Sequence, residues 1–206
     1  MCPRLAAFRR TNREVHSDWH NAPVSAFGPG GGRLDRVTLL IVGLAPGLKG
    51  ANRTGRPFTG DFAGDLLFPS LVKFGFAEGT YGKHAEDGLS LVNCRLTNAV
   101  RCVPPANRPT PAEMRTCRTF LASEIANLPA LKAILALGAI AHASVLAVFE
   151  QPKSARLFKH GAFHSLPNAP ILADSYHCSR QNTNTGRLTP AMFHSVLAEL
   201  ARIVRR

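Results

Sequence analysis

Residues 36–47 read RVTLLIVGLAPG, and this stretch decides the fold. Its β-branched and aliphatic residues form a continuous run that ends in a Gly/Pro-rich loop, which is typical of a strand buried on both faces. Three further runs of this kind lie at 89–98, 132–138 and 169–176, and helical patterns separate them. Strands that alternate with helices indicate a parallel sheet covered by helices. The sequence therefore predicts an α/β fold.

The rest of the chain fits one domain over residues 1–206. A helical pattern lies at 2–16, within an N-terminal helical segment 1–20. Further helices are expected at 65–76, 112–127, 138–150 and 190–205. A length of 206 residues leaves little room for a second complete domain.

The net charge of the chain indicates which class of molecule it binds. Lys and Arg number 25 against 13 Asp and Glu, which gives a net charge of +12 and favours a polyanion such as nucleic acid. The alternative is a basic protein from a basic proteome. No window approaches the about 20 apolar residues of a membrane span, and arginines interrupt the N-terminal apolar stretch, so we expect a cytoplasmic protein without membrane contact.

Four polar loops follow the four predicted strands, at 43–61, 97–105, 137–142 and 175–187. In an open parallel sheet the ligand site lies outside the carboxyl ends of the strands. We therefore expect these loops, which are rich in Gly, Asn, His and Arg, to form one polar cleft.

Two common nucleotide motifs are excluded. The segment GANRTGR at 50–56 approaches a phosphate-binding loop, but it has Arg56 in place of Lys and continues with Pro57 instead of Ser or Thr. The dinucleotide fingerprint GxGxxG is absent after the first strand. The glycine-rich loop instead brings backbone N–H groups close to an anion or a planar ligand, or forms a tight turn.

Several loop residues suit recognition of a nucleobase. His177 directly follows a strand, where an imidazole can donate a hydrogen bond to developing negative charge. The Asn98 amide presents a donor and an acceptor, which suits a base edge, although an Asx turn is the alternative. Phe58 is placed to stack on a base or to join the core. Arg180 and Arg187 either bind phosphates or are solvated.

The cysteines do not indicate a disulfide framework. They number five, an odd count, and are spread widely through the chain, so metal binding or buried thiols are the alternatives. They lie at positions 2, 94, 102, 117 and 178.

Three motifs carry a resemblance to a known family. These are GLAPGLKGANRTGRPFTGD at 43–61, TNAVRCVPPANRPTP at 97–111 and SYHCSRQNTNTGRLT at 175–189. Together they resemble the family 5 uracil-DNA glycosylases, the iron–sulfur branch of that superfamily, and the match runs from residue 2 to about 193. The resemblance implies a single three-layer α/β/α domain with a central four-stranded parallel sheet.

The resemblance also implies an activity. The expected reaction is hydrolysis of the N-glycosidic bond of uracil, hypoxanthine or xanthine in double-stranded DNA by a monofunctional glycosylase that initiates base excision repair. The base must first leave the duplex stack. The implied partner is double-stranded DNA containing deaminated bases, and we expect a monomer.

The motif match assigns roles to individual residues. Phe58 would stack on the base, Asn98 would bind its edge, and backbone groups around Ala45 and Gly47 would hold it. His177 would stabilise the departing base.

No carboxylate stands at the two positions where family 4 enzymes carry one. Asn52 would therefore orient water, whereas Asp61 is interpreted as the cap of the next helix. The residues expected to contact DNA are Arg53, Arg180, Asn182 and Arg187.

A 4Fe–4S cluster is the cofactor that the resemblance implies. Three of the four family cysteines correspond to Cys2, Cys102 and Cys117. The fourth would fall three residues before Cys2, just upstream of Met1, so we expect a misassigned start or a trimmed chain rather than a lost cluster. The cluster would be structural. Cys94 is expected in a strand core, and Cys178 belongs to the His177 motif.

Two other functions stay open at this point. One is a nucleic-acid-binding module that kept the fold without activity, and the other is a nucleoside or nucleotide hydrolase that uses the same base pocket. The charge of +12 argues against a small substrate, because a small substrate does not need it.

Overall fold

The computed structural model describes residues 2–29 and 31–205, with no side chain described at positions 31 and 32. In these ranges the strands are β1 (Leu39–Gly43), β2 (Ala77–Glu78), β3 (Ser90–Leu91), β4 (Cys94–Asn98), β5 (Ala133–Leu137), β6 (Phe163–His164) and β7 (Ile171–Ser175). The α-helices are α1 (Pro3–Val15), α2 (Ala51–Thr54), α3 (Phe62–Lys73), α4 (Pro111–Ala126), α5 (Ala139–Val148), α6 (Arg180–Asn184) and α7 (Pro190–Arg205). Short 3-10 helices lie at Gly31–Arg36, Pro105–Asn107 and Lys153–Ala155.

The main sheet has the strand order β4-β1-β5-β7-β6. Its first four strands are parallel, as the sequence predicts, and β6 adds an antiparallel edge. The predicted count of four strands is therefore wrong, and the sheet has five. Because β6 is only two residues long, it is too short to show a hydrophobic pattern. The alignment of Gly43 with Asn98 and of Leu137 with Ser175 brings the carboxyl ends of the strands to one edge.

The second predicted strand divides into two. Ser90–Leu91 pairs with Ala77–Glu78 in a small antiparallel sheet, whereas Cys94–Asn98 joins the main sheet. Asn93, between them, has a φ of 49°, which breaks the extended backbone.

Helices cover both faces of the sheet and make the predicted three layers. Leu39 and Ile41 pack in one buried cluster with residues of α3 and α7. Leu40 and Val42 pack in another with residues of α4 and α5. This alternation follows from the period of two in a strand, and it explains why β1 is apolar throughout. Within the described ranges, no helix has the length and apolar character needed to cross a membrane.

A buried ion pair braces the loop that follows β1. The two guanidinium nitrogens of Arg56 contact the two carboxylate oxygens of Asp87 at 2.7 and 2.6 Å, and the side chains are 5% and 2% exposed. Backbone N–H groups of Gly82 and Leu89 also donate to Asp87. The Arg56 guanidinium holds the pKa of the Asp87 carboxyl well below its usual range. The segment around Asp87 is thereby fastened to the glycine-rich loop.

Removing this pair should destabilise the protein. Asp87→Ala leaves the Arg56 charge buried and unpaired, so we expect the free energy of unfolding to fall by about 3 kcal/mol. Because the native pKa of Asp87 is depressed, its contribution is complete above about pH 4 and declines as pH falls below that value. Urea unfolding at several pH values measures both effects.

Lys83→Ala is the matched control, because it breaks a more exposed pair with Asp65. It should change the free energy by no more than about 0.5 kcal/mol. Equal effects of the two substitutions would contradict the role given to the buried pair.

Candidate active site

A cavity of about 350 Å³ opens at the carboxyl ends of the parallel strands. Its walls come from the loop after β1, the end of β4, the start of α5 and the segment after β7, which confirms that the polar loops converge. The lining residues are Leu44, Ala45, Gly47, Ala51, Phe58, Asp61, Asn98, Asn107, Leu137, Gly138, Ala139, Ile140, Ala141, His177, Ser179 and Gln181.

Phe58 and Asn98 lie side by side over Gly43. A Cβ atom at position 43 would collide with the Phe58 ring and with the Asn98 amide oxygen, so this position admits only glycine. Phe58 is 5% exposed and has a φ of 57°, a conformation that costs a non-glycine residue about 1 kcal/mol or more. The Tyr81 hydroxyl donates to the Phe58 carbonyl and accepts from the Gly60 N–H, which holds this turn. The cavity thus has an aromatic surface beside an amide.

The His177 ring also lies close to the Phe58 ring. The two ring centroids are 5.8 Å apart with 29° between the planes. Burial lowers the pKa of His177 to about 4, so the imidazole is neutral at neutral pH. The Asn182 side chain donates to the His177 carbonyl at 2.8 Å, and Ser179 caps the short helix that carries Asn182. Asn182 therefore positions the backbone of His177, and a DNA contact by Asn182 stays a prediction.

Asp61 is the cavity residue whose role the sequence did not show. It caps α3 as predicted, because its Oδ1 accepts from the Ala63 N–H at 3.1 Å. Its Oδ2 lies beside Gly47, 2.9 Å from where a Cβ would stand, and also against Gly50. Burial raises the pKa of this carboxyl. In the sequence Asp61 is recognisable as a helix cap, but not as a residue that lines the cavity. Only its spacing from Gly47 and Gly50 could have indicated the second role.

Asn52 does not line the cavity. It is fully buried, and its Nδ2 donates to the Asn21 Oδ1 at 2.9 Å. The Asn21 N–H donates to the Asn52 carbonyl at 3.0 Å. The Oδ1 atom of Asn52 is buried without a hydrogen-bond partner in the described structure. This geometry ties the glycine-rich loop to the segment after α1, and the sequence-based role of Asn52 in orienting water stays a prediction.

Several basic side chains lie on the loops that form the cavity or beside them. Arg53 is exposed on the glycine-rich loop, and the Arg180 guanidinium lies 5.3 Å from the centre of the Phe62 ring. Lys49, Lys83 and Arg180 also line a shallow depression beside Asp61. Arg187 lies 4.5 Å from the centre of the Tyr176 ring, next to His177 in the chain. Arg180 thus lies beside the cavity residue Asp61, and the DNA contacts of Arg53, Arg180 and Arg187 stay predictions.

Three cysteines meet behind the cavity. Cys117 is buried in a small cluster against which Cys2 and Cys102 pack, together with the cavity residue Ala45. Burial raises the pKa of the Cys102 and Cys117 thiols, and the electrostatic effect of the neighbouring Cys2 thiol raises both further. Cys94 is fully buried in β4, as the sequence predicts, and Cys178 is also fully buried.

The setting of the three thiols fits an anionic iron–sulfur cluster. Arg9 is near enough to lower the pKa of Cys102, and its Nε atom is buried without a hydrogen-bond partner in the described structure. A buried guanidinium nitrogen without an acceptor is costly, and the sulfur atoms of a cluster would supply one. Arg4 fastens α1 to α4 through Glu113 at 2.7 Å, which keeps Cys2 close to Cys117.

Known proteins resemble this chain along most of its length. The uracil DNA glycosylase superfamily profile matches residues 29–201. A type-5 uracil-DNA glycosylase of Thermus thermophilus is 45% identical over 98% of this chain and 92% of its own length. Type-5 proteins of Mycobacterium bovis and Pyrobaculum aerophilum are 39% and 36% identical, over 98% and 97% of this chain and 76% and 86% of theirs.

The neutral state of His177 can be measured directly. Because burial disfavours the imidazolium form, NMR titration of the imidazole should give a pKa of about 4 in the folded protein. The same titration in concentrated urea should return the ordinary value of about 6.5. A folded-state value near 6.5 would show that the ring is solvated and would contradict this description of the site.

Proposed function

Because this chain belongs to the uracil-DNA glycosylase superfamily, and within it to the type-5 family, we propose that it releases uracil from DNA by hydrolysing the N-glycosidic bond. The observation that carries the proposal is one cavity that a neutral His177, the Asn98 amide, the Asp61 carboxyl group and the Phe58 ring line together. These groups supply the parts that such a reaction needs. Because the target bond is shielded inside the duplex, the nucleotide enters the cavity by leaving the base stack.

His177 stabilises the departing base. As the glycosidic bond breaks, its electron pair moves onto the base, and negative charge grows on the base oxygen. A neutral imidazole keeps one N–H group, which donates a hydrogen bond to this charge. Such a donor, fixed in a site shielded from water, is worth about a hundredfold or more in rate.

Asn98 and Phe58 recognise the base. The amide is 6% exposed and lies where β4 ends, so its donor and acceptor meet the base edge inside the cavity. Phe58 offers its ring for stacking, and the stacked base then lies between the ring and the solvent-facing rim. Backbone groups at Ala45 and Gly47 complete this wall.

Asp61 acts on the sugar side. Its ionised carboxylate stabilises the positive charge that develops on the sugar and takes a proton from the attacking water. Water adds to the anomeric carbon, the base leaves with the bonding electrons, and the proton passes to Asp61. We give this role to Asp61 because it lines the cavity, whereas Asn52, which the sequence predicts to orient water, is fully buried outside the lining.

The same cavity supports a monofunctional enzyme. No lysine occurs among the described residues that line it, so the lining offers no amine for a Schiff base. Its volume of about 350 Å³ also has room for a two-ring base, which supports hypoxanthine and xanthine as further substrates. The basic rim supports double-stranded DNA as the partner, because phosphates on both sides of the flipped nucleotide attract it.

We propose a 4Fe–4S cluster on Cys2, Cys102 and Cys117. The cluster would supply structural cross-linking and no redox step. It would hold α1 against the segment before α4, and it would fix the Ala45 wall of the cavity through the shared packing cluster.

Three substitutions test the assigned roles. We expect His177→Ala, Asn98→Ala and Asp61→Asn each to lower uracil release about a hundredfold to a thousandfold. Because burial raises the pKa of Asp61 above the ordinary value of about 3.9, the wild-type rate should decline as the pH falls through this raised pKa. The Asp61→Asn variant should not show this decline. The measurement is single-turnover release from an end-labelled oligonucleotide, revealed by cleavage in alkali.

His84→Ala is the matched control, because it removes an exposed histidine outside the cavity lining. It should leave release unchanged, and all variants should bind undamaged duplex nearly as well as the wild type. Release that survives both His177→Ala and Asn98→Ala would refute the pocket. Duplex binding by the wild type without release of any base would favour the inactive binding module.

Iron counting tests the cluster. The purified protein should show iron, acid-labile sulfide and a broad visible charge-transfer absorbance, and Cys117→Ser should lower all three. Cys94→Ala is the control, since this thiol is buried in β4 away from the other three. Absence of iron both from this chain and from one extended upstream of Met1, each reconstituted without oxygen, would refute the cluster.

A further inference from the structure

The segment 151–162 returns from the far end of α5 to the cavity edge of the sheet. At that edge the Gly161 N–H donates to the Asp174 carbonyl, and the Asp174 N–H donates to the Ala162 carbonyl, both at 2.9 Å. Asp174 lies in β7, three residues before His177. The segment therefore forms a shoulder beside the candidate active site.

A buried polar cluster holds this shoulder. Asp174 is 0% exposed, and its Oδ1 lies 2.7 Å from the His142 Nδ1. Its Oδ2 lies 2.9 Å from the His164 Nε2 and accepts from the Lys159 N–H at 3.2 Å. One carboxylate thus joins α5, β6 and the shoulder.

His142 extends the cluster to a second point of the shoulder. Its Nε2 lies 2.8 Å from the Arg156 carbonyl, so each ring nitrogen faces an oxygen atom of a neighbouring group. Although burial opposes the charged ring, the hydrogen bond to Asp174 raises the pKa of His142. A buried ionic cluster adds little net stability, and its best attested use is to fix one geometry.

Aromatic packing fastens the same segment to the residue before His177. The Phe158 ring lies 5.8 Å from the His142 ring and 6.0 Å from the Tyr176 ring, by centroids. His160 stacks on Tyr176 at 5.1 Å and accepts from its backbone N–H. The shoulder is thus rigidly placed next to the cavity mouth.

The fixed shoulder displays positive charge and one apolar tip. Lys153 and Lys159 are exposed, and residues 151–173 contain no Asp or Glu. Leu157 is 74% exposed, although the neighbours on both sides are anchored, Arg156 by its carbonyl and Phe158 by its ring. A large apolar side chain held in water between cations fits a polyanion that also offers apolar surface.

We propose that residues 153–160 form a second DNA-contacting arm, in which Lys153 and Lys159 bind backbone phosphates and Leu157 packs against the base stack beside the flipped nucleotide. Apolar side chains of this size are able to enter base steps and stabilise an unstacked conformation. This inference rests on the proposed function, because it takes duplex DNA as the partner.

The salt dependence of duplex binding tests the phosphate contacts. The double variant Lys153→Gln/Lys159→Gln should make the slope of log affinity against log salt shallower by about 2, since each lysine releases about one counterion. Lys73→Gln is the matched control, because it removes an exposed lysine from the end of α3 opposite Asp61. An unchanged slope in the double variant would overturn the arm.

The apolar tip has its own test. Leu157→Ala should lower uracil release from duplex DNA at least tenfold and from single-stranded DNA less than threefold, because only the duplex must be unstacked and unpaired. Val15→Ala removes another exposed apolar side chain, at the end of α1, and should change neither rate. Equal losses on both substrates, or no loss on duplex, would overturn the role of Leu157.

The two levels of inference fail separately. If the wild type releases uracil from neither substrate, the proposed function fails, whereas the salt slopes still decide whether the arm binds DNA. If the wild type is active and the slopes are equal, the arm fails and the proposed function stands.

Discussion

The cavity depends on the close approach of three groups at the end of β1. Gly43 leaves the space that the Phe58 ring and the Asn98 amide fill together, so a methyl group there would separate the two. Phe58 keeps a positive φ against its intrinsic preference, and the Tyr81 hydroxyl and the Arg56–Asp87 pair hold its loop. A strained turn persists only when its surroundings fix it, which explains why a buried ion pair lies under an otherwise flexible glycine-rich loop.

Around that platform, burial acts in opposite senses on two titratable groups. It lowers the pKa of His177 and raises that of Asp61, because in both cases the uncharged form is easier to bury. In the proposed reaction, His177 would act as a neutral donor to the departing base and Asp61 would act on the sugar and the water. One physical effect thus prepares both sides of the bond.

The sequence predicted the elements that have long apolar runs and missed those that do not. The four parallel strands were recognisable because they are buried on both faces, whereas β6 has two residues and no pattern. His177, Asn98 and Phe58 were identified because they directly follow strands or lie in the glycine-rich loop. Asp61 was seen only as a cap, and Asp87 lies 31 residues from Arg56, a pairing that no local pattern indicates. Asn52 occupies a position in the glycine-rich motif that suggests a role in catalysis, but its side chain is hydrogen-bonded to Asn21.

The cluster of Cys2, Cys102 and Cys117 links the N-terminal helix α1 to the wall of the cavity. Ala45 packs against the same small group as Cys2, Cys102 and Cys117, and the Val100 N–H donates to the Leu44 carbonyl at 3.0 Å. A shift of the thiols therefore moves the two loops that carry Ala45 and Asn98. Because interiors are closely packed, such a shift is transmitted rather than absorbed. A ligand that holds the three sulfur atoms would in this way set the width of the base pocket without touching the base.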